Sequence, residues 1–256
     1  MITLFTLIRK DLLEQWRTKK ILILSIVFLF VAVASPILAK ITPELLKTLS
    51  VPGMTITLPK ATYVDSLDQF IKNVSQIALL VLVFVVAGAV SDEKNRKTLE
   101  ILLTKPVSRA LFILSKFKAY FISITAIFAV SSLLFYLYTV STFVSFNFWN
   151  FTLMAGNVLL YILMIAAVTI LASTVVSNSI AAGGIGFISY ILFGTIFSLF
   201  EPLQKYSPNK IFSSYKDIVI KGWSGDLLLP IVVILSVIIV SVLVSIFVFQ
   251  RQEIER

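Results

Sequence analysis

Apolar and polar positions divide the chain into six long uncharged runs joined by polar connections. The runs fall near residues 21–39, 74–90, 119–140, 153–176, 181–200 and 227–249. Each suits a crossing of about 30 Å of hydrocarbon, the second being the shortest. Ser177-Asn178-Ser179 leaves room only for a tight turn, so the fourth and fifth runs form a hairpin. Residues 3–18 follow a different rule. Leu4, Phe5, Ile8, Leu12 and Trp16 share one side of a helix, while Lys10, Asp11, Glu14 and Arg17 take the other. Such a pattern predicts an amphipathic helix lying in the membrane interface.

Residues 91–118 form a charged insert between the second and third runs. Ser91 and Asp92 are natural N-cap residues, Glu93 adds negative charge to the first turn, and Lys105 suits the end of a short helix. Glu93 with Lys97, and Arg96 with Glu100, are spaced to pair along solvated flanks around an apolar face of Leu99, Leu102 and Leu103. Pro106 ends that helix because it lacks an amide donor, and Ser108 caps a second one beginning at Arg109.

The order Thr98-Leu99-Glu100-Ile101-Leu102-Leu103, then Pro106-Val107-Ser108-Arg109 and Lys116, resembles the cytoplasmic loop of type-2 ABC export permeases. Where family members usually carry Gly before Thr-Leu-Glu, this chain has Lys97. The resemblance implies a coupling helix that docks into a cleft of a separate ATPase subunit through Glu93, Arg96, Leu99, Glu100, Leu102, Leu103, Pro106 and Arg109. It also makes residues 1–20 an elbow helix, with Phe5, Ile8, Leu12 and Trp16 as its membrane face. ATP and Mg would be bound by that partner, in two copies, beside a second copy of this chain or a sister permease.

Composition agrees with a membrane protein: 58% of the 256 residues are hydrophobic and 14% charged, against about a quarter charged in soluble domains. The net charge of +9 does not point to nucleic acid, because the basic residues flank apolar runs. Residues 1–20, 91–118 and 250–256 hold 14 Lys and Arg, including all six arginines; 40–73, 141–152 and 201–226 hold 8. The positive-inside rule therefore puts both termini and the 91–118 loop in the cytoplasm of a plasma-membrane protein. The first run is too long, and lacks a small-residue cleavage pattern, for a removable signal peptide.

The chemistry is as informative for what it lacks. With neither Cys nor His, the chain has no thiolate or imidazole metal site and no Ser-His or Cys-His catalytic arrangement. It has no phosphate-binding Gly-Lys dipeptide, so any motor belongs to a partner. No run carries a charge away from its ends, which disfavours ion-coupled carriers. Polar positions inside the runs are hydroxyls, Thr169, Ser173 and Ser177 on the fourth and Ser241 and Ser245 on the sixth. Ala182 and Gly186 give the fifth a small-residue face, and Phe193, Phe197 and Phe200 share its far half. These positions suit either packing between helices or a dimer seam and conduit wall with a hydrophobic gate.

Two outer segments remain. Residues 40–73 read as an irregular cap with one short helix at 63–72, and 201–226 as either a plain aromatic-rich loop or a segment dipping back into the membrane. The expectation is one all-α integral membrane domain over 1–256, with six transmembrane helices, an elbow helix and a coupling helix. Its expected role is the permease subunit of an exporter for an amphipathic peptide, lipid or drug. An ATP-independent carrier or channel, and an accessory scaffold, are the alternatives.

Overall fold

The computed structural model describes residues 3–48, 60–95 and 108–252. Among them the secondary structure is helical throughout. Helix α1 (Leu4–Arg17) starts with the Thr3 side chain accepting from the Thr6 amide. A sharp turn follows, in which Lys19 adopts φ 64°, and α2 (Lys20–Thr48) begins at once. A β-carbon in that left-handed region costs roughly 1 kcal/mol relative to glycine. Lys19→Gly is accordingly expected to raise the thermal midpoint in detergent slightly, provided the elbow keeps its angle; a drop would mean that the Lys19 side chain itself anchors the turn.

The second crossing is longer than its apolar run. It starts at α3 (Tyr63–Asn73), where Thr62 and Asp65 form a reciprocal capping box, and passes through a π-helical turn (Val74–Ala78) into α4 (Leu79–Ala87). The short outer helix expected at 63–72 is thus the first third of this crossing. Its polar residues misled the reading: buried Ser66 bonds Thr139 Oγ1 at 3.0 Å, and Asn73 donates to Ser35 Oγ at 3.0 Å. Likewise α2 runs through Pro36 and Pro43 into the segment read as irregular.

After a turn at 88–90 comes α5 (Ser91–Asn95), then α6 (Arg109–Thr142), α7 (Phe148–Val175) and α8 (Ser179–Leu199). Ser108 caps α6 as expected, accepting from the Leu111 amide at 3.2 Å. Asn178 makes the α7–α8 hairpin possible by accepting from the Ile180 and Ala181 amides. Three short helices, α9 (Glu201–Gln204), α10 (Lys210–Ser213) and α11 (Tyr215–Lys221), lead to α12 (Leu228–Arg251). Six helical stretches are long and apolar enough to cross a membrane. The most enclosed is α7, which α4, α6, α8, α11 and α12 surround. Its buried Met154, Val158, Ile162 and Ile165 join Phe70, Phe128 and Phe135 in one continuous core.

Candidate functional site

Both chain ends and the start of the 91–108 connection meet at one end of the bundle, where an ion cluster is buried. Lys116, about two turns into α6, is 2% exposed. Its ammonium lies 3.0 Å from Asp11 Oδ1 and 3.1 Å from Glu14 Oε2, and it also pairs with Glu93. Lys10 adds a second cation, 2.8 Å from Glu93 Oε1 and 3.1 Å from Asp11 Oδ1. Ser115 donates to the other Asp11 oxygen at 2.6 Å, and Ser123 donates to Gln15 Oε1 at 2.6 Å. Beneath them lies Phe112, with both ammoniums within 6 Å of its ring and Phe249 stacked at 5.2 Å.

This cluster corrects the expected orientation of the elbow. Phe5 and Trp16 do point outward, 76% and 64% exposed, and Ile8 and Leu12 are partly covered. The opposite face is not solvated, however. Leu7, Asp11 and Gln15 are buried against α6, because Lys116, Ser115 and Ser123 offer that face partners for its charges and its amide. Glu93 is likewise turned inward rather than lying on a solvated flank, and is 6% exposed. Burial pushes the Glu14 carboxyl above the ordinary carboxylate range; Lys116 opposes the shift and Glu93 adds to it. Carboxylate oxygens of Asp11, Glu14 and Glu93 lie within 4.8 Å of one another. The Lys116 ammonium occupies the place a metal cation would take among them.

Nearby contacts fix where the connection leaves the bundle. Neither Ser91 nor Asp92 serves as an N-cap. Ser91 lies inside the helix, donating to Ala87 O, while Asp92 pairs with Lys20 at 2.9 Å. Lys20 also donates to Gly88 O at 3.2 Å, which ties α2 to the same turn. Ser173 Oγ accepts from the Val90 and Ser91 amides, both at 3.0 Å, supplying an acceptor for donors that the turn leaves open. Lys94 donates to Thr174 O, close to Gln252, which donates to the same carbonyl at 2.9 Å.

Of the residues expected to dock an ATPase, Arg96, Leu99, Glu100, Leu102, Leu103 and Pro106 lie outside the described residues. Arg109 is engaged within the chain. Its guanidinium donates to the carbonyls of Phe249, Gln250 and Gln252, closing the end of α12, where a cation also suits the helix dipole.

The expected seam is corrected too. Thr169, Ser173 and Ala182 are buried inside the chain, and a β-carbon on Gly186 would meet Thr169 Oγ1 at 2.6 Å and Val83 Cγ1 at 3.0 Å. These small residues pack α8 against α4 and α7. Outward from α8 point Ile180, Ile188, Ile191 and Ile196 instead. Phe193 is half-buried against the core, and Phe197 lines a cavity beside α9 and α10.

The connection 201–226 packs back along α7. Phe212 meets Tyr161 edge-on, with centroids 4.7 Å apart. Tyr161 lies about 20 Å of helix from the Phe148 end of α7 at 1.5 Å per residue. From there α11 climbs along α7 until Asn150 donates to Val219 O at 3.2 Å. Asp68 holds the top, accepting from the Tyr215 hydroxyl and pairing with Lys216 at 2.9 Å.

Six helices long and apolar enough to cross a membrane define a multi-pass, all-α membrane protein. The profile of the "ABC-2 family transporter protein" family matches residues 5–254, nearly the whole chain, and the chain belongs to that family. It is therefore a membrane subunit of an ABC transporter, a transport component that is not catalytic by itself and whose family generally works with an ABC ATPase. A similar curated protein is the uncharacterized transmembrane protein YxlG of Bacillus subtilis (strain 168), 27% identical over 234 residues and covering 88% of each chain.

Proposed function

We propose that this chain is the conducting subunit of an ATP-driven exporter, with its termini and the 91–108 connection in the cytoplasm. Two permease chains and two ATPase subunits form the working unit, ATP and Mg are bound on the ATPases, and the cargo is amphipathic. The single observation carrying this reading is the buried cluster in which Glu93, at the head of the connection, shares cations with Asp11 and Glu14 of the elbow and with Lys116 of α6. A rigid joint of this kind lets a push on the connection move elbow and span together. Loose, solvated charges would let it dissipate in side-chain motion.

The ATPase would engage Leu99, Leu102 and Leu103, flanked by Arg96 and Glu100; Glu93 and Arg109 then position the segment rather than touch the partner. Arg9, Arg17, Arg109 and Arg251, the arginines among the described residues, lie at the end carrying the cluster, which supports the orientation. The proposal is tested by Glu100→Lys and Leu102→Asp in the purified complex. Both variants are expected to insert and fold normally while stimulation of ATP hydrolysis by the permease is lost. Full transport by both would sink the docking assignment.

A further inference from the structure

The return of the 201–226 connection along α7 creates a cavity of about 600 Å³ lined by Gly194, Phe197, Gln204, Lys205, Ser207, Asn209, Lys210 and Ser213. Six of those eight residues are polar, and Phe197 and Gly194 complete the wall. Lys205 and Lys210 bring two positive charges. Neither has an ion-pair partner among the described residues: Asp68 is held by Lys216 and Asp217 by Lys221. Lys205 faces only the Tyr206 ring, at 5.0 Å. Lys210 sits two residues before Phe212, whose contact with Tyr161 places it well along α7 from the Phe148 end. An ammonium at such a position is costly unless an anion or water neutralises it. The surrounding amide and hydroxyl groups are donors that suit oxyanions, and charge-assisted hydrogen bonds of this type are about twice as strong as neutral ones.

We infer that the cavity between α8, α9 and α10 is a binding site for the anionic, oxygen-bearing headgroup of an amphiphile, with Lys205 and Lys210 as its counter-charges. Asn209 is placed to donate to the same group, and the apolar part of the ligand lies along Phe197 and the isoleucines of α8. As an exit site for cargo the inference rests on the permease reading. As a binding site it does not, and the two are measured separately.

The experiment uses the purified full chain in mixed detergent micelles, without any ATPase. It is titrated with fluorescent phosphatidylglycerol and, separately, with fluorescent phosphatidylcholine. Saturable binding of the anionic lipid is expected, with the zwitterionic lipid at least about tenfold weaker. The double variant Lys205→Gln/Lys210→Gln should lose at least about tenfold in affinity for phosphatidylglycerol. Lys60→Gln/Lys221→Gln, which removes the same charge from the same end of the bundle, should bind as the parent does. Inorganic phosphate as competitor separates the sources of the anion: displacement shows that a free oxyanion suffices, and no displacement shows that the lipid anchor is required; either supports the site. Gly194→Trp provides a second route if the lysine variant fails to fold. A β-carbon there meets only Asn209 Nδ2 at 3.7 Å, so the indole enters the cavity and should block binding with charge unchanged. Equal binding of the two lipids, equal loss in the control variant, or full binding by both cavity variants would overturn the inference. None of these results bears on ATPase stimulation, so failure here leaves the permease reading intact.

Discussion

Lys116→Met is expected to be among the most damaging single substitutions in this chain. The side chain is 2% exposed and faces three carboxylates, two of them almost fully enclosed. Removing the ammonium leaves Lys10, itself 37% exposed, to face Asp11, Glu14 and Glu93 in its place. Breaking a buried ion network from one side typically costs about 3–5 kcal/mol, because the remaining charges lose their partner without regaining water. The expected result is a large fall in the thermal midpoint, or failure to recover monodisperse protein. Any material that survives should no longer stimulate the ATPase, since the joint between connection and elbow is gone. Glu14→Gln provides the contrast. Glu14 is the most exposed carboxylate of the three, and burial already favours its neutral form. A raised pKa means that the folded state binds more protons than the unfolded one above the ordinary value of 4.5, so stability falls as pH rises through that window. Glu14→Gln is expected to fold normally and to lose this pH dependence. Wild-type stability after Lys116→Met would show that the carboxylates are individually protonated or hydrated, and that the cluster is not a joint.

How much of this was legible in the sequence depends on range. Local signals held: Ser108 caps α6, Asn178 turns the α7–α8 hairpin, and six apolar runs became six crossings. Elbow periodicity correctly set Phe5 and Trp16 apart from Asp11 and Glu14. What failed was the assumption that a charged face meets water. Asp11 reaches its partner Ser115 across more than a hundred residues of chain, and no periodic pattern records that separation. One clue was available. Lys116 stands among Phe112, Phe117 and Tyr120, where the apolar run has already begun, and a lysine there needs an acidic partner from elsewhere. The extended second crossing was hidden for the same reason. Its Asp65, Ser66, Asp68 and Asn73 read as an outer loop, yet they are the capping and interhelical contacts of a buried helix. Arg109 adds a contact that motif order does not record, since its guanidinium closes the last turn of α12.

Gly186→Val should also have a large effect, and it separates two uses of the small-residue face. A β-carbon at this position would lie 2.6 Å from Thr169 Oγ1, 3.0 Å from Val83 Cγ1 and 3.1 Å from Thr169 Cγ2. These are side chains of the packed interior, and Thr169 is pinned by its bond to Ile165 O at 2.8 Å, so neither neighbour can swing aside. Overpacking of this kind costs about 1–3 kcal/mol, and the second branch of valine adds to it. Gly184→Ala, where nothing lies within 4 Å, is expected to be silent by comparison. Thr169→Ala removes two of the three close atoms and should recover part of the loss in the double variant Thr169→Ala/Gly186→Ala relative to Gly186→Ala alone, an interaction visible as non-additive thermal midpoints. A seam between two copies predicts something else: Gly186→Val would change the oligomeric state at unchanged stability of the single chain, and Thr169→Ala would not compensate. On the proposed pairing of two permease chains, the face of α8 open to the second is the isoleucine row from Ile180 to Ile196, where substitutions should alter assembly and leave folding alone. Stability measured against oligomeric state, for one glycine and one isoleucine on the same helix, therefore assigns each side of α8 to its partner.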